Sequence, residues 1–177
     1  YCAFVQEKIA DPVPEFTCEL FIAGRLGMGI YEQRTELVQD LKNRLKDKML
    51  IFPTEDIIHT LYRTPEVAAS AQAILGYGRP EAIGWPDVRV FQYPGAGGVL
   101  LHNGADRWLE PYQHYVPFGL PTVDAVLEAL TWVQEHPEEV FWIRKRAFGL
   151  MQTKHSTIQR VQQVLREVGL HGTVSPV

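Results

Sequence analysis

Residues 18 to 52 constrain the fold more than any other stretch of the chain. An apolar run, Cys18-Glu19-Leu20-Phe21-Ile22-Ala23, is stopped by Gly24-Arg25-Leu26-Gly27-Met28-Gly29. From Ile30 to Met49, the apolar positions Ile30, Leu37, Val38, Leu41, Leu45 and Met49 recur at helical spacing among charged residues, which predicts an amphipathic helix. Leu50-Ile51-Phe52 is a second short apolar run, closed by Pro53. Strand, helix and strand in this order form a βαβ unit. Its crossover requires parallel strands joined with right-handed sense.

The remaining segments extend that pattern. Thr54-Glu55-Asp56 can cap a short helix through Tyr62, and Thr64 is an N-cap for another that has Pro65 in its first turn. Ala73 to Tyr77 reads as a strand, followed by a Gly/Pro-rich loop to Pro86. Val88 to Tyr93 is a short amphipathic segment leading into a glycine hinge (Gly95, Gly97, Gly98) and a buried strand, Val99 to Leu101, that ends in His102 and Asn103. The hinge is expected to follow a strand lying beside the Gly24 turn. Val116-Pro117-Phe118 suits a short edge strand. Thr122-Val123-Asp124 opens a helix to Glu135 that stops at His136-Pro137. Pro137 to Gln152 and His155 to Val168 predict two more helices, with Gly169 as C-cap. The alternation predicts one α/β domain: a Rossmann-like, doubly wound parallel sheet of about five or six strands with helices on both faces. The C-terminal third is helical. Residues 1–16, with Pro12 and Pro14 near their end, read as a linker or lead-in, and residues 17–177 as the domain.

Composition removes several function classes. The 177 residues are 46% hydrophobic and 21% charged, enough for one globular core. With a net charge of −4 and Lys and Arg spread along the chain, no nucleic-acid partner is expected. Cys2 and Cys18 make neither a disulfide scaffold nor a zinc motif, and no metal is expected. No apolar run approaches the roughly 18 residues of a membrane span, and no signal peptide is visible, so a cytoplasmic setting is expected. The chain begins Tyr-Cys without Met, as a fragment or a processed chain does.

Candidate ligand-binding residues cluster at two glycine turns. Gly24, Gly27 and Gly29 lie between a strand and a helix N-terminus, where unpaired backbone amides and the helix dipole favour an anion. Arg25 adds a guanidinium suited to diphosphate. The same glycines could simply tighten a βα turn, and the spacing GxxGxG is not the dinucleotide fingerprint. Arg34, one turn into the helix, is either a phosphate ligand or a solvated surface arginine. Arg89, two residues after Asp87, could reach phosphate or pair with a carboxylate. Gly97 and Gly98 are expected to bring backbone close to a ligand, and Asn103 to contact a sugar or phosphate. His102, His114 and His155 have no Asp or Ser partner at a recognisable spacing. Trp108, Tyr112 and Tyr115 are expected to pack their loop against helices.

Three stretches carry a family resemblance: Phe21-Ile22-Ala23-Gly24-Arg25-Leu26, the segment from Asp87 to Asn103 (D-x-R-x-[FW]-[EQ] followed by G-G-x-L-L), and Glu139 to Val164, which includes Lys154-His155-Ser156-Thr157-Ile158-Gln159-Arg160. In this order they resemble the C-terminal half of a GT-B glycosyltransferase, most closely the CgeB-like (spore-protein) glycosyltransferases. The likeness covers most of residues 18–170. It implies a donor-binding domain that takes a nucleoside diphosphate sugar as substrate, without metal or cofactor. It also implies an N-terminal acceptor domain, or a partner chain, facing it across a cleft. In many retaining GT-B enzymes a glutamate at the place of Gln92 holds the ribose hydroxyls; a glutamine keeps hydrogen bonding but loses charge. Two other readings stay open. One is a non-catalytic nucleotide- or protein-binding module. The other is a small enzyme like the nucleoside deoxyribosyltransferases, whose opening βαβ unit resembles Phe21-Ile22-Ala23-Gly24 and Phe52-Pro53-Thr54-Glu55-Asp56, though the catalytic glutamate segment of that family does not follow.

Overall fold

The computed structural model describes residues 8–24, 32–52, 57–77, 88–105 and 108–169. Five parallel strands form one sheet: β1 (Cys18–Ala23), β2 (Met49–Phe52), β3 (Ala71–Gly76), β4 (Leu100–His102) and β5 (Val116–Pro117). Their order is β2-β1-β3-β4-β5. The first crossover therefore steps one way from β1 and the second steps back past it, which makes the sheet doubly wound. Among the described residues, six helices alternate with or follow the strands: α1 (Glu32–Leu45), α2 (Ile57–Ser70), α3 (Arg89–Gly95), α4 (Val123–Glu135), α5 (Pro137–Leu150) and α6 (Thr157–Glu167).

Side-chain alternation along the strands divides the core in two. Leu20, Ile22, Ala73, Leu75 and Leu101 face α1 and α4, meeting Leu37, Val38, Leu41, Val126, Leu130 and Val133. Phe21, Ala23, Ile74 and Leu100 face the opposite way, onto Val67 and Ala68 of α2 and Val90 and Tyr93 of α3. Both faces are thus covered, as a parallel sheet requires. On the second face Phe21 meets Phe52 and Tyr93 edge-to-face, with ring centroids 5.2 and 6.2 Å apart.

Local rules hold at the ends of three helices. Thr122 caps α4 by accepting from Ala125 N at 3.3 Å, and Ser156 caps α6 in the same way from Gln159 N at 3.3 Å. Helix α1 ends where Lys46 takes φ 54°, and Lys42 Nζ closes that end by donating to the carbonyls of Lys46 and Met49, each at 2.6 Å. One expectation fails. Two short helices separated at Thr64 are instead one helix, α2, with Pro65 inside it. An interior proline costs about 3 kcal/mol. The turn beyond it inserts Val67 and Ala68, both fully buried, against β1 and β3, and that packing outweighs the local signal. Lead-in residues also pack: Phe16 is buried beside Phe52, and Val13 N donates to Ser70 Oγ at 2.7 Å.

After α5 the chain makes a π turn, Met151–His155, which buries Met151 and sets the His155 ring 5.0 Å from that of Phe91. Helix α6 buries none of its residues, and Ile158, Val161 and Val164 are exposed along one stripe, with Val168 just beyond its end.

Candidate functional site at the carboxyl edge of the sheet

The strand order fixes where a ligand can enter. Strands β1 and β3 are neighbours, yet the chain leaves β1 for α1 on one face and β3 for α3 on the other. Helices diverging from adjacent parallel strands leave a crevice at the strands' carboxyl ends. The last row of the sheet runs Phe52, Ala23, Gly76, His102 and Pro117 by register, so Gly24 and Asn103 lie just beyond it on the same edge. With strands spaced about 4.8 Å apart, Gly24 and Asn103 are about 10 Å from each other along that edge.

At the crevice floor, Gly24 has φ 134°, a conformation that L side chains rarely adopt. The space a side chain would take there is filled by two guanidinium groups. A Cβ on Gly24 would overlap the end of Arg89 and stand 2.6 Å from Arg34 Nη2. Arg34 comes from the first turn of α1, and Arg89 is the first residue of α3. Two helices on opposite faces thus deliver like charges to one backbone position. Arg34 is only 6% exposed, which overturns the reading of a solvated surface arginine, and its Nη2 donates to the Ala23 carbonyl at 2.9 Å. The sequence carried a signal for this. Arg34 falls on the buried stripe Arg34, Leu37, Val38, Leu41, Leu45, where every other member is aliphatic. Guanidinium groups carry donors in a fixed fork that suits the oxygens of a phosphate or carboxylate.

Other expected site residues are distributed along the domain. Arg25, Gly27, Gly29 and Asp87 lie outside the described residues. Gln92, one turn into α3, turns its amide towards Thr64 Oγ1 on α2, at 3.4 Å. Gly97 and Gly98 belong to a different place. The hinge follows helix α3 rather than a strand, so it lies at the amino-terminal edge of the sheet, opposite Gly24. There both glycines are buried. A Cβ on Gly97 would stand 2.7 Å from Ile9 Cγ1, and one on Gly98 would run into Ile74 Cδ1 with Ala68 Cβ at 3.2 Å. The structure therefore brings Gly24 and Arg89 together with Arg34, places Asn103 further along the same edge, and separates Gly97 and Gly98 from all of them.

His102, on the last row of the sheet, is 2% exposed and packs against Gly76. Its Nδ1 accepts from Gly104 N at 2.9 Å, so the proton of the neutral ring sits on Nε2. His114 and His155 lie away from the crevice. Burial lowers the pKa of each, and for His155 the nearby charges of Arg160 and Lys154 lower it further. The aromatic loop packs as expected: Trp108 meets Phe91 edge-to-face at 6.0 Å, and Tyr112 leans on Trp132 at 5.0 Å. A shallow groove of about 430 Å³ runs along α4, but Asp124, Glu128 and Glu135 line it and would repel a phosphate. Among the described residues no cluster of three His, Cys, Asp or Glu side chains could hold a metal ion, and no helix is long and apolar enough to cross a membrane.

Among solved structures, the crystal structure of TarM is similar to 90% of this chain with a TM-score of 0.50 at 9% identity. The chain spans 37% of the length of that structure, and at such identity the likeness shows a shared fold. No curated protein matches the chain. A protein family described as glycosyl transferase-like matches residues 34–166, a span that opens on Arg34 and includes strands β2, β3, β4 and β5, though not β1, with α3 and nearly all of the helical third, and the chain belongs to that family.

Proposed function

We propose that this chain is the donor-binding half of a GT-B glycosyltransferase, holding the diphosphate of a nucleoside diphosphate sugar between Arg34 and Arg89 above Gly24. The observation that carries this reading is the convergence of those two guanidiniums at the switch point of the sheet. As the bond between sugar and diphosphate breaks, negative charge grows on the leaving phosphate, and fixed cations there stabilise the transition state more than the bound substrate. Asn103, on the same edge, is placed to meet the sugar or phosphate. The reaction needs no cofactor, and a cytoplasmic setting fits it. The acceptor and its catalytic base belong to an N-terminal domain or a partner chain, and the exposed apolar stripe of α6 offers that partner a surface. Within the family, the three stretches around Gly24, Gln92 and Arg160 favour the CgeB-like branch.

Calorimetric titration with a panel of nucleoside diphosphates, on protein carrying any upstream sequence, tests this. Arg34→Ala and Arg89→Ala should each weaken binding about ten- to a hundredfold, the range for loss of a charge-assisted hydrogen bond. Arg25→Ala, next to Gly24 in the sequence, should do likewise. Gln92→Ala should cost less, since only neutral hydrogen bonds are lost. A second reading, a partner-binding module without catalysis, is favoured by one contact: Gln92 spends its amide on Thr64 inside the protein. Absence of nucleoside diphosphate binding by the wild-type protein would select it.

A further inference from the structure

Between Val140 and Arg166 the chain carries Arg144, Lys145, Arg146, Lys154, Arg160 and Arg166, and no Asp or Glu. All 21 carboxylates lie elsewhere, among the remaining eleven Lys and Arg. Cations are spread along the chain; carboxylates are not. A protein of net charge −4 is therefore divided into an acidic body and a basic segment made of most of α5, the π turn and α6.

Two large rings share the basic part of α5. Phe141 and Trp142 are 50% and 49% exposed, with centroids 5.3 Å apart, edge to face. One turn on, Lys145 and Arg146 are also exposed, and Lys145 Nζ lies 5.6 Å from the centre of the Phe141 ring. Residues at i and i+4 stand one above the other, so each ring has a cation beside it on one solvent-facing strip. The buried side of the same helix is supplied by Ile143 and Ala147. Glu138 and Glu139 bound the strip at the helix's amino end.

We propose that this strip of α5 docks the protein on an anionic membrane surface. Trp142 enters the headgroup layer, where its amphipathic ring rests, and the apolar Phe141 ring enters beside it, while Lys145 and Arg146 face the lipid phosphates. The carboxyl end of α5 meets the lipid first, since Glu138 and Glu139 are repelled by it. The strip uses none of the α6 stripe and does not depend on the donor reading.

Flotation of the full chain with phosphatidylcholine vesicles, and with vesicles of phosphatidylcholine mixed with phosphatidylglycerol, is the test. The protein should float with the mixed vesicles only, and added salt should release it. Lys145→Gln and Arg146→Gln should each lower partitioning about fivefold, the effect of one cation near such a surface. Phe141→Ala with Trp142→Ala should lower it further without changing the circular dichroism, because these side chains are half in water. Lys8→Gln, an equal charge change at an exposed residue outside the strip, should leave it unaltered. Equal flotation with both vesicle types, no flotation with either, or a loss as large from Lys8→Gln would overturn the proposal. Retention by immobilised polyglutamate without flotation would assign the strip to an acidic protein and overturn it as well.

Discussion

The two ends of the sheet carry glycine turns that look alike in sequence and differ entirely in surroundings. At the carboxyl end Gly24 leaves room that two guanidiniums occupy. At the amino end Gly97 and Gly98 leave room that Ile9, Ile74 and Ala68 occupy. The first turn gathers charge around an entrance, while the second lets aliphatic side chains close the core beneath α3. A glycine-rich turn therefore says only that something comes close. Which end of a parallel strand it sits on decides whether that something is a ligand or the protein itself.

Substitution at the packed end should have the largest effect. Gly98→Val drives two methyl groups towards Ile74 and Ala68 and should lower stability by about 3 kcal/mol in chemical denaturation, the upper end of ordinary overpacking. The folded fraction should bind nucleoside diphosphates as before. Unchanged stability would break the contrast between the two ends. At the open end, Gly24→Ala should act chiefly on the ligand. Its Cβ displaces Arg89 and Arg34, so affinity should fall about tenfold or more in titration, or about 1.4 kcal/mol, beside a strain cost of about 1 kcal/mol from φ 134°. If binding survives Gly24→Ala and fails in Gly98→Val, the ligand enters at the other edge.

A smaller effect sharpens the same contrast through pH. Cys18 begins β1 at the packed end, where burial pushes its thiol up to about 11. A raised pKa means that the neutral thiol is favoured in the folded protein. The stability it contributes is complete below the ordinary value of 9.0 and is lost as pH rises towards about 11. Denaturation midpoints should therefore drop across that window. Cys18→Ala should flatten the drop, and alkylation of Cys18 in the folded protein should be negligible at neutral pH.

Much of the fold was legible because its signals are local. The apolar run Cys18–Ala23 is β1 to the residue, and Thr122 with His136-Pro137 delimits α4. The misreading at Pro65 arose where a local rule met burial of Val67 and Ala68, which the rule does not contain. The site was legible in parts only. Gly24 and Arg89 stand out by composition, but their meeting requires the order of strands, and Arg34 reaches them from the opposite face of the sheet. The hinge at Gly97 and Gly98 was assigned to the wrong edge because Val88 to Tyr93 is as compatible with a strand as with the short helix it forms.

Helix α6 has eleven residues, and helices of that length are marginal in water when nothing covers them. With no buried side chain of its own, it depends on the Ser156 cap and on Met151 and His155 anchoring the turn before it. Its amides should exchange with solvent deuterium through local opening, well before those of β1 and β3, whose release requires global unfolding. The valine stripe gives that exchange rate a second meaning. Any surface that settles on Val161 and Val164 must hold the helix closed, so protection of these few amides would report occupancy of the stripe.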